Sequence, residues 1–233
     1  MNQKVAIVTA ASQGMGKACA EALAKAGYQL VLMSRGEEVL QVAQSLGGIA
    51  IRGSVDQPED LKALVEKAMT DYGRIDVVVN NTGHPPKGSL LELTDEDWYT
   101  GMDLVLMNVI RMARFVTPIM QTQGGGSIIN ISTFAAYEPS LKFPISSALR
   151  AALGAYTKLF ASENGKDNVR MNNILPGFIE SYPIDEATRE EIPMKRSGKL
   201  NEIGETAVFL ASEAAGYING ENLKVDGGLS KSV

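Results

Sequence analysis

The stretch Lys4 to Gly16, KVAIVTAASQGMG, decides how the rest of this chain is read. Lys4 to Thr9 is a run of β-branched and apolar residues, which predicts a strand buried on both faces. Thr9-Ala10-Ala11-Ser12-Gln13-Gly14-Met15-Gly16 then leads without a linker into an Ala-rich helical pattern, Gly16 to Ala26, ended by Gly27. Gly14 and Gly16 lack a Cβ, so the backbone can turn tightly and approach a ligand closely. The helix start supplies unpaired N–H groups and a partial positive charge, which suits a pyrophosphate. A Gly-x-Gly alone is weak. After the first strand of a βαβ unit it points to a dinucleotide.

The same alternation continues outward. Strands are predicted at Gln29 to Ser34, Ile49 to Arg52, Asp76 to Asn80, Ser127 to Ser132, Arg170 to Leu175 and Asn222 to Val225. Helical patterns fill the gaps: Glu37 to Leu46, a helix opened by Pro58 with Asp56 as its N-cap, Asp95 to Gln121 with Pro118 near its end, Ser146 to Glu163, and Ile203 to Ala211. Continuous apolar strands separated by helices mean a parallel sheet covered on both faces, an α/β doubly wound Rossmann architecture. No repeat or linker divides the chain, so residues 1–233 are expected to form one domain. Gly177 to Asn201 is the one long irregular stretch, and such loops are usually lids or binding loops.

The second strand ends at Ser34-Arg35. An acid here would bind the ribose hydroxyls of NAD. Arg35 can instead pair bidentately with a 2′-phosphate, so the sequence favours NADP(H) over NAD(H).

Composition removes other classes. The 233 residues carry 22 Lys+Arg against 27 Asp+Glu, a net charge of -5 with no basic cluster. That argues against nucleic acid and membrane surfaces as partners and leaves a small-molecule substrate. Cys19 and His84 are the lone residues of their types, which makes no metal-site pattern and no internal disulfide. No apolar run approaches the ~18 residues of a membrane span. The N-terminus does not read as a signal peptide, so a reducing, cytoplasmic setting is the expectation.

On these motifs the chain resembles the short-chain dehydrogenase/reductase family over essentially its whole length. The glycine loop resembles T-G-x-x-x-G-x-G with Ala10 in place of the first glycine. Asn80-Asn81-Thr82-Gly83 resembles the N-N-A-G after the fourth strand. Asn172-Asn173-Ile174-Leu175-Pro176-Gly177 and the stretch Ile192 to Gly228, ending in Val225-Asp226-Gly227-Gly228, resemble the last third of the family. The resemblance implies an open seven-stranded sheet, a nicotinamide cofactor, a substrate cleft above the carboxyl ends of the strands, and a homodimer or homotetramer. It also implies a cofactor site made of Thr9, Ser12, Gln13, Gly14, Met15, Gly16, Arg35, Ser54, Val55, Asn81, Gly83 and Arg150. Pro176, Gly177 and Ile179 would flank the nicotinamide. Ser181 stands where a threonine often bonds the carboxamide, and Ser54 where an aspartate lies near the adenine.

The catalytic pattern departs from the family. Ser146-Ser147-Ala148-Leu149-Arg150-Ala151-Ala152 matches Y-x-x-x-K-A-A, which puts Ser146 at the tyrosine position and Arg150 at the lysine position. Thr133 takes the serine position after the fifth strand, and Val105 the position of a helix asparagine, with Asn108 a substitute nearby. Thr133 keeps a hydroxyl. Arg150 keeps a cation but does not deprotonate. Ser146 is the serious loss, because an aliphatic hydroxyl is a far poorer proton donor than a phenol. Tyr137, Tyr182 and His84 are the other groups that could bring a proton to the cleft, each with a plain packing or surface role as the alternative.

Three functions follow from the resemblance. The first is an NADP(H)-dependent oxidoreductase, acting on a carbonyl or alcohol through a variant active site with Thr133, Ser146 and Arg150 as its catalytic residues. The second is a cofactor-binding protein without dehydrogenase activity. The third is a lyase of the halohydrin dehalogenase kind. Those enzymes also have Arg at the lysine position, but they keep the tyrosine and have lost the glycines, the reverse of this chain.

Overall fold

The computed structural model describes residues 3–232. Its seven strands, β1 (Val5–Thr9), β2 (Gln29–Ser34), β3 (Ile49–Arg52), β4 (Val77–Asn80), β5 (Gly126–Ile131), β6 (Val169–Pro176) and β7 (Asn222–Val225), form one parallel sheet in the order β3-β2-β1-β4-β5-β6-β7. Every residue of β1 and β4 is buried, as continuous apolar runs require. The side chains still alternate between faces. Ala6 and Val8 join α1 (Gly14–Lys25), α2 (Glu38–Ser45) and α8 (Leu200–Ala211) on one face. Val5 and Ile7 join α3 (Pro58–Tyr72), α5 (Asn108–Gln123) and α6 (Pro144–Asn164) on the other. Each fully buried Leu, Ile or Val in these layers contributes about 1.5–3 kcal/mol. Strand order reverses between β1 and β4, so a crevice opens there at the carboxyl ends of the strands.

A row of amides, buried at Asn80, Asn130 and Asn173 and half-buried at Asn222, crosses the sheet near that edge. Asn80 Nδ2 donates to Asn130 Oδ1 at 2.9 Å, Asn130 Nδ2 to Asn173 Oδ1 at 2.8 Å, and Asn173 Nδ2 to Asn222 Oδ1 at 2.7 Å. These four residues are directly opposite one another on β4, β5, β6 and β7. A one-residue slip of any strand would leave amides buried without partners, so the row fixes the register that positions the crevice.

Four details differ from the sequence reading. The first helix starts at Gly14, two residues earlier than predicted, so both loop glycines belong to its first turn. Asp56 does not cap α3: Gln57 holds that position, Pro58 starts the helix, and the Asp56 carboxylate accepts from Gln57 Nε2 instead. The helical pattern from Asp95 is not one helix. It runs as α4 (Asp95–Met102), a π-helical segment at Asp103–Met107, and then α5. The stretch after β6 is less irregular than expected. Gly198 N donates to Phe178 O, Glu180 N donates to Gly198 O, and a short α7 (Glu186–Glu191) lies between.

Candidate active site

Two adjoining cavities occupy the crevice. The first, about 580 Å³, is lined by the glycine loop, by Ser34, Arg35 and Gly36 after β2, by Ser54 and Val55 after β3, and by Asn81 to His84 after β4. The second, about 350 Å³, is lined by Ser132, Thr133, Ser146, Arg150, Pro176, Gly177, Ile179 and residues 181–185, among others. Met15, Asn81, Thr82, Gly83, His84, Ser181 and Tyr182 border both.

The first cavity is built from backbone. Gly14 has φ +57°, and a Cβ on Gly16 would lie 2.3 Å from the Ala10 carbonyl oxygen and 2.6 Å from Asn81 Nδ2. Thr9 Oγ1 ties this loop to the β4 loop, donating to Asn81 O at 2.7 Å and accepting from Asn81 N at 2.9 Å. Ala10 adopts φ +46°, the left-handed conformation for which glycine is suited, at a cost of about 1–2 kcal/mol. Its carbonyl is held by Asn81 Nδ2 at 3.2 Å and its neighbour Ala11 N by Met33 O at 3.1 Å. Gln13 provides no side-chain cap to α1, and the first turn carries no acid, so the helix amides stay available to an anion. Ser12 Oγ lies 3.0 Å from Ser34 Oγ. Beyond it Arg35 is exposed and makes no ion pair among the described residues, whereas nearby Arg52 is paired with Glu37 at 3.0 Å. Thr82 Oγ1 is buried here without a hydrogen-bond partner. A close-approach cradle, open helix amides, a free cation and an orphaned hydroxyl fit a phosphorylated dinucleotide.

The second cavity is built from side chains. Arg150, on α6, is only 8% exposed. Its Nε donates to Ser146 Oγ at 3.2 Å, one helical turn earlier, and its Nη1 donates to Ile131 O at the end of β5. No carboxylate pairs with it among the described residues. Burial pulls its pKa down to about 10, so it is still a cation at neutral pH. Thr133 caps the 3₁₀ turn Phe134–Ala136, its Oγ1 accepting from Ala135 N at 3.4 Å. Both hydroxyl oxygens therefore already accept an N–H, which leaves each O–H free to donate into the cavity. Ser132 Oγ, beside them, is buried without a partner.

The neighbouring candidates separate. Val105 packs against Ile145 and Leu149, and Asn108, although buried, borders neither cavity. Tyr137 faces away, its hydroxyl accepting from Asn222 Nδ2 at 3.1 Å with Lys224 over its ring. Tyr156 packs on Phe160 within the core face of α6. Cys19 is buried and its thiol is pushed up to about 12, which makes it inert. His84 and Tyr182 come together: Nε2 and Oη are 2.8 Å apart, and the rings meet edge to face at 5.1 Å. Reading the sequence named both residues but not their contact, because 98 positions separate them. Ser132 and Thr82 were not singled out; only their lack of partners reveals them. Among the described residues no group of three or more His, Cys, Asp or Glu is placed to hold a metal ion, and no helix is long and apolar enough to cross a membrane.

Comparison with known proteins agrees with this geometry. Residues 9–230 match a family model described as enoyl-(acyl carrier protein) reductase. Human dehydrogenase/reductase SDR family member 4 is 34% identical over 97% of this chain and 87% of its own length. The 3-oxoacyl-[acyl-carrier-protein] reductase FabG of Thermotoga maritima is 33% identical over 97% of each chain. Among solved structures, YwfH, an NADPH-dependent reductase involved in bacilysin biosynthesis, superposes with a TM-score of 0.94 at 28% identity, covering 99% of this chain and 100% of that one. L-Sorbose reductase from Gluconobacter frateurii, complexed with NADPH and L-sorbose, gives 0.92 at 33% identity, covering 100% and 98%. The chain therefore belongs to the short-chain dehydrogenase/reductase family, an oxidoreductase family that uses nicotinamide cofactors.

Proposed function

We propose that this protein is an NADP(H)-dependent reductase that interconverts a carbonyl and an alcohol through a variant active site. The observation that carries the reading is Arg35, a cation without an acidic partner among the described residues, beside the glycine cradle in the lining of the first cavity. Gln13, Gly14, Met15 and Gly16 would hold the pyrophosphate, with Thr9 fixing the loop. Arg35, with Ser12, Ser54 and Val55, would hold the phosphorylated adenosine. Asn81, Gly83, Pro176, Gly177 and Ile179 would border the riboses and the nicotinamide, and Arg150 would reach the nearer ribose. When bound, the reduced cofactor supplies a hydride to the carbonyl carbon. Thr133 and Ser146 donate their O–H groups to the substrate oxygen. The buried Arg150 cation behind Ser146 stabilises the negative charge that develops there, and low local polarity strengthens the effect. The first half of the 177–201 stretch, from Gly177 to Asp185 with Thr188, lines the substrate cavity, which supports its reading as a lid on a one-domain chain.

Nicotinamide fluorescence tests the cofactor half. NADPH is expected to bind much more tightly than NADH, and Arg35→Ala is expected to erase that preference. Equal binding of both by the unaltered protein would overturn the NADP(H) assignment. Oxidation of NADPH in the presence of β-keto esters, ketoses and diketones tests the chemical half. The second function, cofactor binding without turnover, draws on the Arg150–Ser146 bond, which occupies part of the hydroxyl that replaces the family's phenol. Tight NADPH binding with no oxidation across that panel would establish it instead.

A further inference from the structure

The variant site polarises an oxygen but lacks an acid to protonate it, since neither a serine hydroxyl nor an arginine gives up a proton readily at neutral pH. We infer that Tyr182 is the proton donor to the substrate oxygen and that His84 passes the proton to Tyr182. The inference rests on the reductase reading above and supplies the step that reading leaves open.

Three observations carry it. Tyr182 is the only phenol among the described residues lining the two cavities, and with His84 it borders both, at the seam where a hydride donor and acceptor would meet. Its Oη lies 2.8 Å from His84 Nε2, a direct path for a proton. Both partners are anchored by backbone: Tyr182 N donates to Ile179 O at 3.0 Å, and Pro85 and Pro86 restrict the chain after His84. Partial burial of the imidazole, then Lys87 on its own loop and Arg150 on α6, hold its pKa below the ordinary value. Tyr182 touches it, and Asp185 lines the same cavity. Asp185 is engaged as the cap of α7, accepting from Thr188 N at 2.8 Å.

In reduction, hydride adds to the carbonyl carbon and the C=O π pair moves to oxygen. The Tyr182 O–H bond breaks to protonate that oxygen. The Nε2 proton of the His84 imidazolium passes to Oη, and neutral His84 regains a proton from solvent. In oxidation every movement reverses, and neutral His84 is the competent form. Reduction should therefore slow as pH rises through a midpoint below 6.5, and oxidation should quicken over the same range.

His84 is the only histidine in the chain, so a single pair of imidazole C–H resonances reports its titration by NMR without further assignment. The expected midpoint lies below 6.5, and Tyr182→Phe should move it. With NADPH and ethyl acetoacetate or 9,10-phenanthrenequinone, Tyr182→Phe and His84→Gln should each lower kcat by about 100-fold, the scale of general acid catalysis. Both should leave the NADPH dissociation constant unchanged and flatten the pH dependence of kcat. Tyr137→Phe, which removes a phenol outside the cavities, should change none of these. Variants that keep kcat and its pH dependence would overturn the relay while leaving the reductase reading intact. Variants that weaken NADPH binding alone would also overturn it, showing a contact that only straps the cofactor groove. An unaltered protein that binds no NADPH, or oxidises none with any acceptor, would overturn the reductase reading and the relay together.

Discussion

The two ends of the crevice are built from different materials. The end formed by β1, β2 and β4 offers backbone: helix amides, a carbonyl pinned by Asn81, and a space at Gly16 that no Cβ can enter. The end formed by β5, β6 and α6 offers side chains: two hydroxyls, a buried guanidinium, and an imidazole–phenol pair brought in from two loops. A backbone site has few tolerated substitutions, because sterics admit only glycine where approach is closest. A side-chain site can be rebuilt, provided each buried polar group finds a partner or a ligand. That contrast suits a chain whose resemblance to the family is carried by its glycine loop, while Ser146 and Arg150 stand where the resemblance expects a tyrosine and a lysine.

The sharpest way to break the comparison is Gly16→Val. Its Cβ would overlap the Ala10 carbonyl and the Asn81 amide, both fixed by hydrogen bonds, so the loop must move. NADPH binding, followed by nicotinamide fluorescence, should disappear, while circular dichroism should show the sheet and helices intact. A variant that binds as well as the parent would mean the cavity does not receive a pyrophosphate.

Arg150→Met addresses the other end and should have a large but narrower effect. It removes a buried cation that no acid among the described residues balances, at the cost of the donor to Ile131 O, a loss of about 1–3 kcal/mol offset by the lifted burden of burying a charge. Stability in urea should therefore change little. The rate of NADPH oxidation should fall about 100-fold, the scale seen when one donor that stabilises an oxyanion is removed. Unchanged turnover would show that the guanidinium serves the fold rather than the reaction.

The same contrast explains what the sequence revealed. The strands and the glycine cradle were legible because they depend on local patterns: apolar runs in β1 and β4, and two glycines at a strand–helix junction. Ser146 and Arg150 were named from their neighbours on α6, and the structure places them one helical turn apart in hydrogen-bond contact. What stayed hidden depends on distance in space. The His84–Tyr182 contact and the Asn80–Asn130–Asn173–Asn222 row join residues from separate loops and strands, and no periodicity encodes them. The π-helical turn at Asp103–Met107 escaped for another reason: its residues, Asp-Leu-Val-Leu-Met, carry no pattern that separates them from the α-helix on either side. The Asp56 cap failed because Pro58 already starts α3 with Gln57 before it.

The smallest expected effect tests whether the catalytic-side wall is held independently of the cofactor loop. Glu202, on α8, accepts from both Arg196 Nη atoms at 2.9 and 2.7 Å and from Lys199 N at 2.7 Å, which secures the end of the 177–201 stretch. The Arg196 bonds come first among the causes that hold its pKa down to about 2, against 4.5 for the free side chain. A carboxylate with a lowered folded-state pKa adds stability above its unfolded value, and that stability is lost as pH falls from 4.5 toward about 2. Both side chains are a little over a third exposed, so solvent screening limits the pair's worth to about 1 kcal/mol, less at high salt. Glu202→Gln should therefore lower urea stability by about that amount at neutral pH and converge with the parent at pH 2. NADPH affinity should not change, because the glycine cradle owes nothing to this pair. A loss of affinity that tracks the loss of stability would mean that the two ends of the crevice are coupled, and that the side-chain wall helps to shape the backbone cradle.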